Sequence, residues 1–239
     1  MTAPLPPLSE DDFVARLRAE GSARYHDHHP FHLRMHAGTL CREQLQAWVR
    51  NRYYYQTRIP IKDALIVAKS EDPAFRRAWI RRIHDHDGEA EGEGGLAQWL
   101  RLARGVGLDV EEVRSLSGVL PGARFACDAY VQLVREGSLL QAVAASLTEF
   151  FAPEIMATRI AAWEAHYPFV DRDVLEYFRG RPARARRDSR EALEFVLQNA
   201  STRALQEQAM AALLTKCDVL WSLLDAIERG CPDAQPQRA

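Results

Sequence analysis

Apolar residues recur along nearly the whole chain at steps of three and four, and the signals that start β-hairpins are missing. The one Asp-Gly, at Asp87-Gly88, runs into Glu89, Glu91 and Glu93 rather than into an alternating pattern. Such a sequence can bury its stripes only by packing helix on helix, so the expected fold class is all-α. Helices are expected after Ser9, after Thr39 and after Pro73. Further helices are expected over Leu96–Arg104, Asp109–Leu116, Arg124–Glu136, Leu139–Ala165, Asp171–Phe178, Ser189–Asn199 and Thr202–Arg229. Ser9 with Asp12 predicts an N-cap, Gly137 a stop, and Pro60 and Pro153 kinks or breaks. The 239 residues hold no internal repeat and no low-complexity linker. One helical domain, 1–239, is therefore expected, with 1–8 and 232–239 as flexible tails.

Charge excludes some partners. Lys and Arg number 31 against 33 Asp and Glu, a net −2, without the basic excess that nucleic acid or an anionic membrane surface usually requires. Arg179–Arg190 is dense in arginine but has no interleaved aromatics, and reads as a solvated connecting loop rather than an RNA-binding segment. Cys41, Cys127, Cys217 and Cys231 lie far apart with no C-x-x-C pair, which suits a reducing cytoplasm better than a disulfide framework. The proline-bearing start, Met1–Leu8, has no apolar run after a basic residue, and no later stretch is a charge-free membrane span.

The informative feature is where the pattern breaks. Leu205, Ala209, Leu213, Lys216, Leu220, Leu223 and Ile227 follow one another at steps of three and four, which sets Lys216 among leucines. Phe75, Trp79, Arg82 and His86 do the same, as do Glu149, Ala152, Met156 and Arg159, and Trp48, Arg52 and Gln56. Burying an unpaired cation costs on the order of several kcal/mol, so each needs an internal carboxylate, solvent or an anionic ligand. Snorkelling or an internal ion pair accounts for any one of them alone. Recurrence on several helices points to a shared cavity. Arg52, Lys62, Arg82, Arg159, Arg181 and Lys216 are expected to converge on a small molecule with several carboxylates, which guanidinium forks would orient.

Histidines cluster at His26, His28, His29 and His32, with His36, His84 and His86 beyond. His28, His32 and His36 would share a helical face, which raises a metal site. Pro30 interrupts that helix, however, and no H-E-x-x-H or paired E-x-x-H accompanies it, so hydrogen-bonded or surface histidines and no metal are expected. The acidic, glycine-rich run Asp85–Gly95 lacks EF-hand spacing and reads as a polar loop between two helices. Phosphate loops, dinucleotide fingerprints and nucleophile elbows are missing, which leaves nucleotide-driven and acyl-transfer chemistry unsupported. Tyr53, Tyr54 and Tyr55 cannot share one helical face, so at least one should be core and one surface. Tyr25, Tyr130 and Tyr177 are expected in the core with bonded hydroxyls, or as donors beside an anionic ligand.

Seven stretches in order span nearly the whole chain: YHDHHPFH (Tyr25–His32), QAWVRNRYYYQTRIPIKDA (Gln46–Ala64), RRIHDHDG (Arg81–Gly88), LPGARFACDAYV (Leu120–Val131), SLTEFFAP (Ser146–Pro153), YFRGR (Tyr177–Arg181) and KCDVLWSLLDA (Lys216–Ala226). On these the chain resembles the pyrroloquinoline-quinone synthase family. The resemblance implies a compact helical bundle of the haem-oxygenase-like, thiaminase-related type, homodimeric and without haem, metal or other cofactor. It implies that O2 is co-substrate in closing a ring and oxidising a bicyclic, carboxylated precursor to pyrroloquinoline quinone, with release of hydrogen peroxide. Carried over by position, Tyr25, His26, Arg52, Gln56, Lys62, Arg82, Tyr130, Thr148, Glu149 and Arg159 would bind substrate, and His86, Tyr177, Arg181 and Lys216 would carry the chemistry. Some relatives have histidine where this chain has Met156. Any proton transfer made there must pass to His86, Tyr177 or water, or be dispensable.

In that chemistry His86 is expected to be the general base, because imidazole titrates near working pH. The cations would hold carboxylates and stabilise enolate charge, with Tyr177 and Arg181 near reduced oxygen and Lys216 adding positive charge. Rival readings are a metal-dependent helical oxygenase using His and Glu ligands, and a non-catalytic carrier of the precursor. A thiaminase-like hydrolase would need a nucleophilic cysteine, whereas Cys127 and Cys217 are expected as small core residues.

Overall fold

The computed structural model describes residues 5–231, and every regular element among them is helical. Helix α1 (Glu10–Arg24) starts where the Ser9 hydroxyl accepts the Asp12 amide, as its sequence predicts. Residues 1–4 and 232–239, and with them the expected C-terminal tail, lie outside the described residues. The other expected tail is tied down at its end, because the Leu8 N–H donates to Gln206 Oε1 at 2.8 Å and the Leu8 carbonyl accepts from Gln206 Nε2 at 3.1 Å.

Prolines account for most differences from expectation. Pro30 opens α2 (Pro30–His36) instead of interrupting it: the first turn needs no N–H there, and His29 caps it by accepting the Phe31 amide. Helix α3 (Arg42–Ala68) runs straight through Pro60. The missing N–H costs about 3 kcal/mol in an exposed helix, but Pro60 is buried in an element enclosed by its neighbours, and packing outweighs the defect. The same enclosure buries Tyr53, Tyr54 and Tyr55 alike, so the expected surface tyrosine is absent.

Other expected helices divide. The segment after Pro73 forms α4 (Pro73–Trp79), capped by Asp72, and α5 (Arg81–Asp87). Then follow α6 (Gly94–Gly105), α7 (Val110–Ser115) and α8 (Pro121–Glu136), which stops at Gly137. Leu139–Ala165 is α9 (Leu139–Ala144), a 3₁₀ segment (Ala145–Phe150) and α10 (Ala152–His166), with Pro153 in the first turn of α10. After the 3₁₀ turn Arg172–Leu175 come α11 (Glu176–Asn199) and α12 (Arg203–Gly230).

The largest correction is Arg179–Arg190, which is not a loop but the first half of α11. Its buried positions, Tyr177, Phe178, Arg181, Ala185, Asp188 and Ala192, make an ordinary helical stripe in which two members are charged. Carboxylates elsewhere take the arginines: Glu164 binds Arg179, Glu149 binds Arg181, and Asp85 binds Arg184 and Arg187.

In the core α3 packs on α8, α6 and α5, and α12 packs on α8 and α1. Trp48 meets Trp99 and Trp163 at ring separations of 5.4 and 5.9 Å. Helix α9 opens with a reciprocal capping box between Ser138 and Gln141 and leads directly into the 3₁₀ segment. Ser138→Ala is expected to cost about 0.5–2 kcal/mol, read as a lower urea midpoint at unchanged slope. An unmoved midpoint would refute a role for the cap.

Candidate active site

Beneath the 3₁₀ segment the helices leave a narrow, partly open cavity. Tyr25 and His26 enter it just after α1. Arg52 and Gln56 come from α3, His86 from α5, Thr148 and Glu149 from the 3₁₀ segment, Arg159 from α10, and Tyr177 and Arg181 from α11. A smaller space shares His86, Thr148, Glu149 and Arg181 with it and adds Lys62, Arg82 and Tyr130. Thus every expected site residue lines one space or the other except Lys216. That lysine lies behind the lining, its Nζ donating to Tyr55 Oη at 2.9 Å and standing 3.6 Å from the Tyr130 ring centroid.

The six cations divide sharply. Lys62 is 2.6 Å from Asp63, whose other contact is the Trp79 indole N–H. Burial opposes the charge on Lys62, but Asp63 more than offsets it and the pKa is raised. Arg82 stacks 3.7 Å over Trp79 and donates to the Asp188 carbonyl at 2.6 Å, with the Asp188 carboxylate 3.9 Å away. Arg181 binds Glu149 at 2.5 Å and Asp188 at 3.7 Å. These three are internal ion pairs.

Arg52, Arg159 and Lys216 have no carboxylate partner among the described residues. Arg52 rests 4.0 Å over the Tyr55 ring. Arg159 is 2% exposed, its contacts are Met156 Sδ, His32 Nε2 and the Trp48 ring, and its Nε has no partner. Burial, then the neighbouring Arg52, push Arg159 down to about 9. The same two causes push Lys216 well below its ordinary value. Positive charge held without a carboxylate partner beside such a space is an arrangement suited to an anion.

His86 donates from Nδ1 to the Arg82 carbonyl at 3.1 Å, which leaves Nε2 with a lone pair. Its turn is clamped to the start of α6. Gly88 and Gly94 have φ of 83° and 77°, and a Cβ on Gly94 would come within 2.6 Å of the His86 carbonyl oxygen. The expected titration near working pH does not hold for the protein alone: burial, then Arg181, push His86 down to about 3. The imidazole is neutral and able to accept a proton, and a bound anion is what would strengthen it as a base. Tyr177 donates to Gln56 Oε1 at 2.9 Å, and Glu149 Oε2 is buried without a partner.

The family model described as TENA/THI-4/PQQC matches residues 14–226. The chain belongs to that family. Among its TENA/THI-4/PQQC relatives, the pyrroloquinoline-quinone synthase of Rhizobium rhizogenes is 52% identical over 219 residues, covering 92% of this chain and 89% of the relative. That of Rhizobium meliloti is 54% identical over 90% of this chain and 84% of its own, and that of Gluconobacter oxydans 49% over 92% of each. A haem-oxygenase-like protein of Shewanella denitrificans superposes with a TM-score of 0.73 at 14% identity over 93% of both chains. The TenA homologue of P. horikoshii gives 0.72 at 15%, over 91% of this chain and 99% of its own. The helical bundle is thus of the haem-oxygenase-like, TenA type.

Several residues of this family member's site escaped the sequence reading. Tyr55, Ile59, Trp99, Ala152 and Leu220 also line the main space, and Asp63 and Asp188 neutralise its paired cations. Tyr55 and Asp188 carried a readable signal, lying three and seven residues from Arg52 and Arg181 on the same stripes. Cys127 and Cys217 line neither space, and burial pushes both thiols up to about 12.

Among the described residues, His29, Asp225 and Glu228 bring possible metal ligands within 4.8 Å. His29 Nδ1 accepts the Phe31 amide, so Nε2 carries the proton and faces Asp225, while Glu228 binds Arg34. The trio is satisfied by its own hydrogen bonds.

Proposed function

We propose that this chain is a pyrroloquinoline-quinone synthase whose cavity holds the bicyclic, multiply carboxylated precursor. It closes the last ring and oxidises the product to the quinone with O2, releasing hydrogen peroxide in the final step of making that cofactor. The observation that carries this reading is the pair of uncompensated cations, Arg52 and Arg159, lining a space that also holds a neutral histidine, with Lys216 behind the lining. Relatives about half identical over nine-tenths of the chain bear the same name.

In this reading O2 is co-substrate and the protein brings no cofactor of its own. Arg52 and Arg159 take substrate carboxylates, with Tyr25, His26, Gln56 and Thr148 donating or accepting around them. Lys62, Arg82, Tyr130 and Glu149 shape the adjoining space. His86 removes a proton from the bound precursor at Nε2, and the electron-rich anion then reduces O2 directly. Each O2 that leaves as peroxide takes up a pair of electrons from the substrate and a pair of protons, for which Tyr177 and Arg181 lie nearest. Lys216 acts at one remove, through the Tyr55 hydroxyl. The protein works as a homodimer in the cytoplasm, and no helix among the described residues is long and apolar enough to cross a membrane.

The test is anaerobic mixing of metal-analysed protein with the bicyclic precursor, followed by admission of O2 while quinone absorbance and peroxide are recorded. Oxygen-dependent quinone and peroxide from metal-free protein are expected. Binding without turnover would favour a carrier, and turnover only after iron or manganese is added would favour the metal-dependent oxygenase. Light scattering of the same sample checks the dimer.

A further inference from the structure

One buried residue outside the lining is placed to decide how the lining binds. His32, on α2, is 1% exposed and lines neither space. Its Nε2 is 3.3 Å from Arg159 Nη2, and its Nδ1 is 2.9 Å from the His26 carbonyl oxygen and 3.1 Å from His26 Nδ1. These partners assign the tautomers in sequence. A guanidinium can only donate, so His32 Nε2 accepts and the ring proton of His32 is on Nδ1. That N–H lies between the His26 carbonyl oxygen, its nearer acceptor, and His26 Nδ1; a second N–H on His26 Nδ1 would face it donor against donor at 3.1 Å, which places the ring proton of His26 on Nε2. Nε2 of His26 is buried with no partner in the protein, and His26 lines the main cavity.

We infer that His32 is a positioning residue that fixes His26 as an Nε2–H donor, so that His26 presents a hydrogen to a carboxylate or quinone oxygen of the ligand. The geometry explains why a histidine with no access to the cavity is held against Arg159. The charge of Arg159 on one side of His32 dictates the proton position on the other side, two rings away from it. With the opposite tautomer His26 would turn a lone pair toward ligand oxygens, and attraction would become repulsion. Burial is the first cause and nearby arginines the next that keep both rings neutral, so neither gains a second proton that would erase the distinction. The role of the donor rests on the reading of the cavity given above, whereas the tautomer does not.

The tautomer is read directly by nitrogen-resolved NMR of the ligand-free protein labelled in its histidine rings, with His26 assigned by substitution. The Nε2–H form is expected for His26 in the wild type and in His32→Asn, whose amide nitrogen stands in for Nδ1–H. In His32→Gln the amide reaches toward Arg159 instead, the donor to His26 is lost, and His26 should become a mixture of tautomers. Affinity for pyrroloquinoline quinone, titrated by absorbance, should fall about ten-fold in His32→Gln and stay within about two-fold in His32→Asn. Thermal midpoints of both variants separate this from unfolding. An Nδ1–H His26 in the wild type, or equal weakening by the two variants, would overturn the inference. Wild-type protein that shows the expected tautomer but takes up no quinone would leave the relay standing and overturn the functional reading instead.

Discussion

Replacement of His86 by alanine is expected to slow oxidation about 10²–10⁴-fold while changing affinity for pyrroloquinoline quinone by no more than about three-fold. In the proposed reading binding would rest on Arg52 and Arg159, which do not touch His86, whereas proton removal would rest on the one lone pair that the Arg82 carbonyl leaves at Nε2. The pH profiles give a second test. In the free protein His86 is held at about 3 by burial and by Arg181, so kcat/KM, which reports the free enzyme, should show no loss from this group at pH 5–7. A bound polyanion favours imidazolium and raises that pKa, so the acid limb of kcat should lie at higher pH than that of kcat/KM.

Linkage also acts on stability. The unfolded imidazole takes a proton near 6.5 and the folded one only near 3. Acid therefore favours the unfolded state progressively as pH falls from 6.5 toward 3, with no contribution above 6.5, and His86→Ala should make that decline shallower. Unchanged turnover in His86→Ala would remove it from the base role.

The cationic anomaly was legible because periodicity alone says which side of a helix a residue faces. Lys216 among leucines and Arg159 beyond Met156 are indeed buried. Which cations are neutralised was not legible, because the answer lies in contacts between distant segments, as for Glu149 with Arg181, or in a pairing that helical geometry argues against. Lys62 and Asp63 are adjacent, and neighbours on a helix do not ordinarily face each other. Here Lys62 bends back to within 2.6 Å because Asp63 is fixed by Trp79. The arginine-rich half of α11 resembles a loop in composition for a related reason: of its arginines only Arg181 lies on the buried stripe, where Glu149 of the 3₁₀ segment neutralises it, while Glu164 of α10 and Asp85 of α5 hold arginines on its more exposed faces. The state of His86 needed the depth of the cavity, which no spacing encodes.

The contrast between paired and unpaired cations has opposite consequences for stability. Arg159→Met removes a buried charge with no carboxylate and leaves a side chain of similar bulk beside Trp48 and Phe178. It should stabilise the protein by about 1–3 kcal/mol, raising Tm by several degrees, because desolvation of the guanidinium outweighs its ring contacts and its hydrogen bond to His32. Affinity for pyrroloquinoline quinone should at the same time fall by about 10² or more, since charge-assisted contacts to a carboxylate are lost. Asp63→Ala should do the reverse. Lys62 would stay buried with its charge uncompensated, at a cost of about 3–5 kcal/mol and a correspondingly lower Tm, while the folded fraction still binds the quinone. The checks are calorimetric melting and quinone titration of both variants. If Arg159→Met melts below the wild type, the arginine is satisfied within the fold, and its position beside the cavity no longer argues for a ligand. If it melts above and binds as before, the cavity takes no anion at Arg159. Only higher stability together with lost affinity fits a cation kept at the expense of the fold for what it binds.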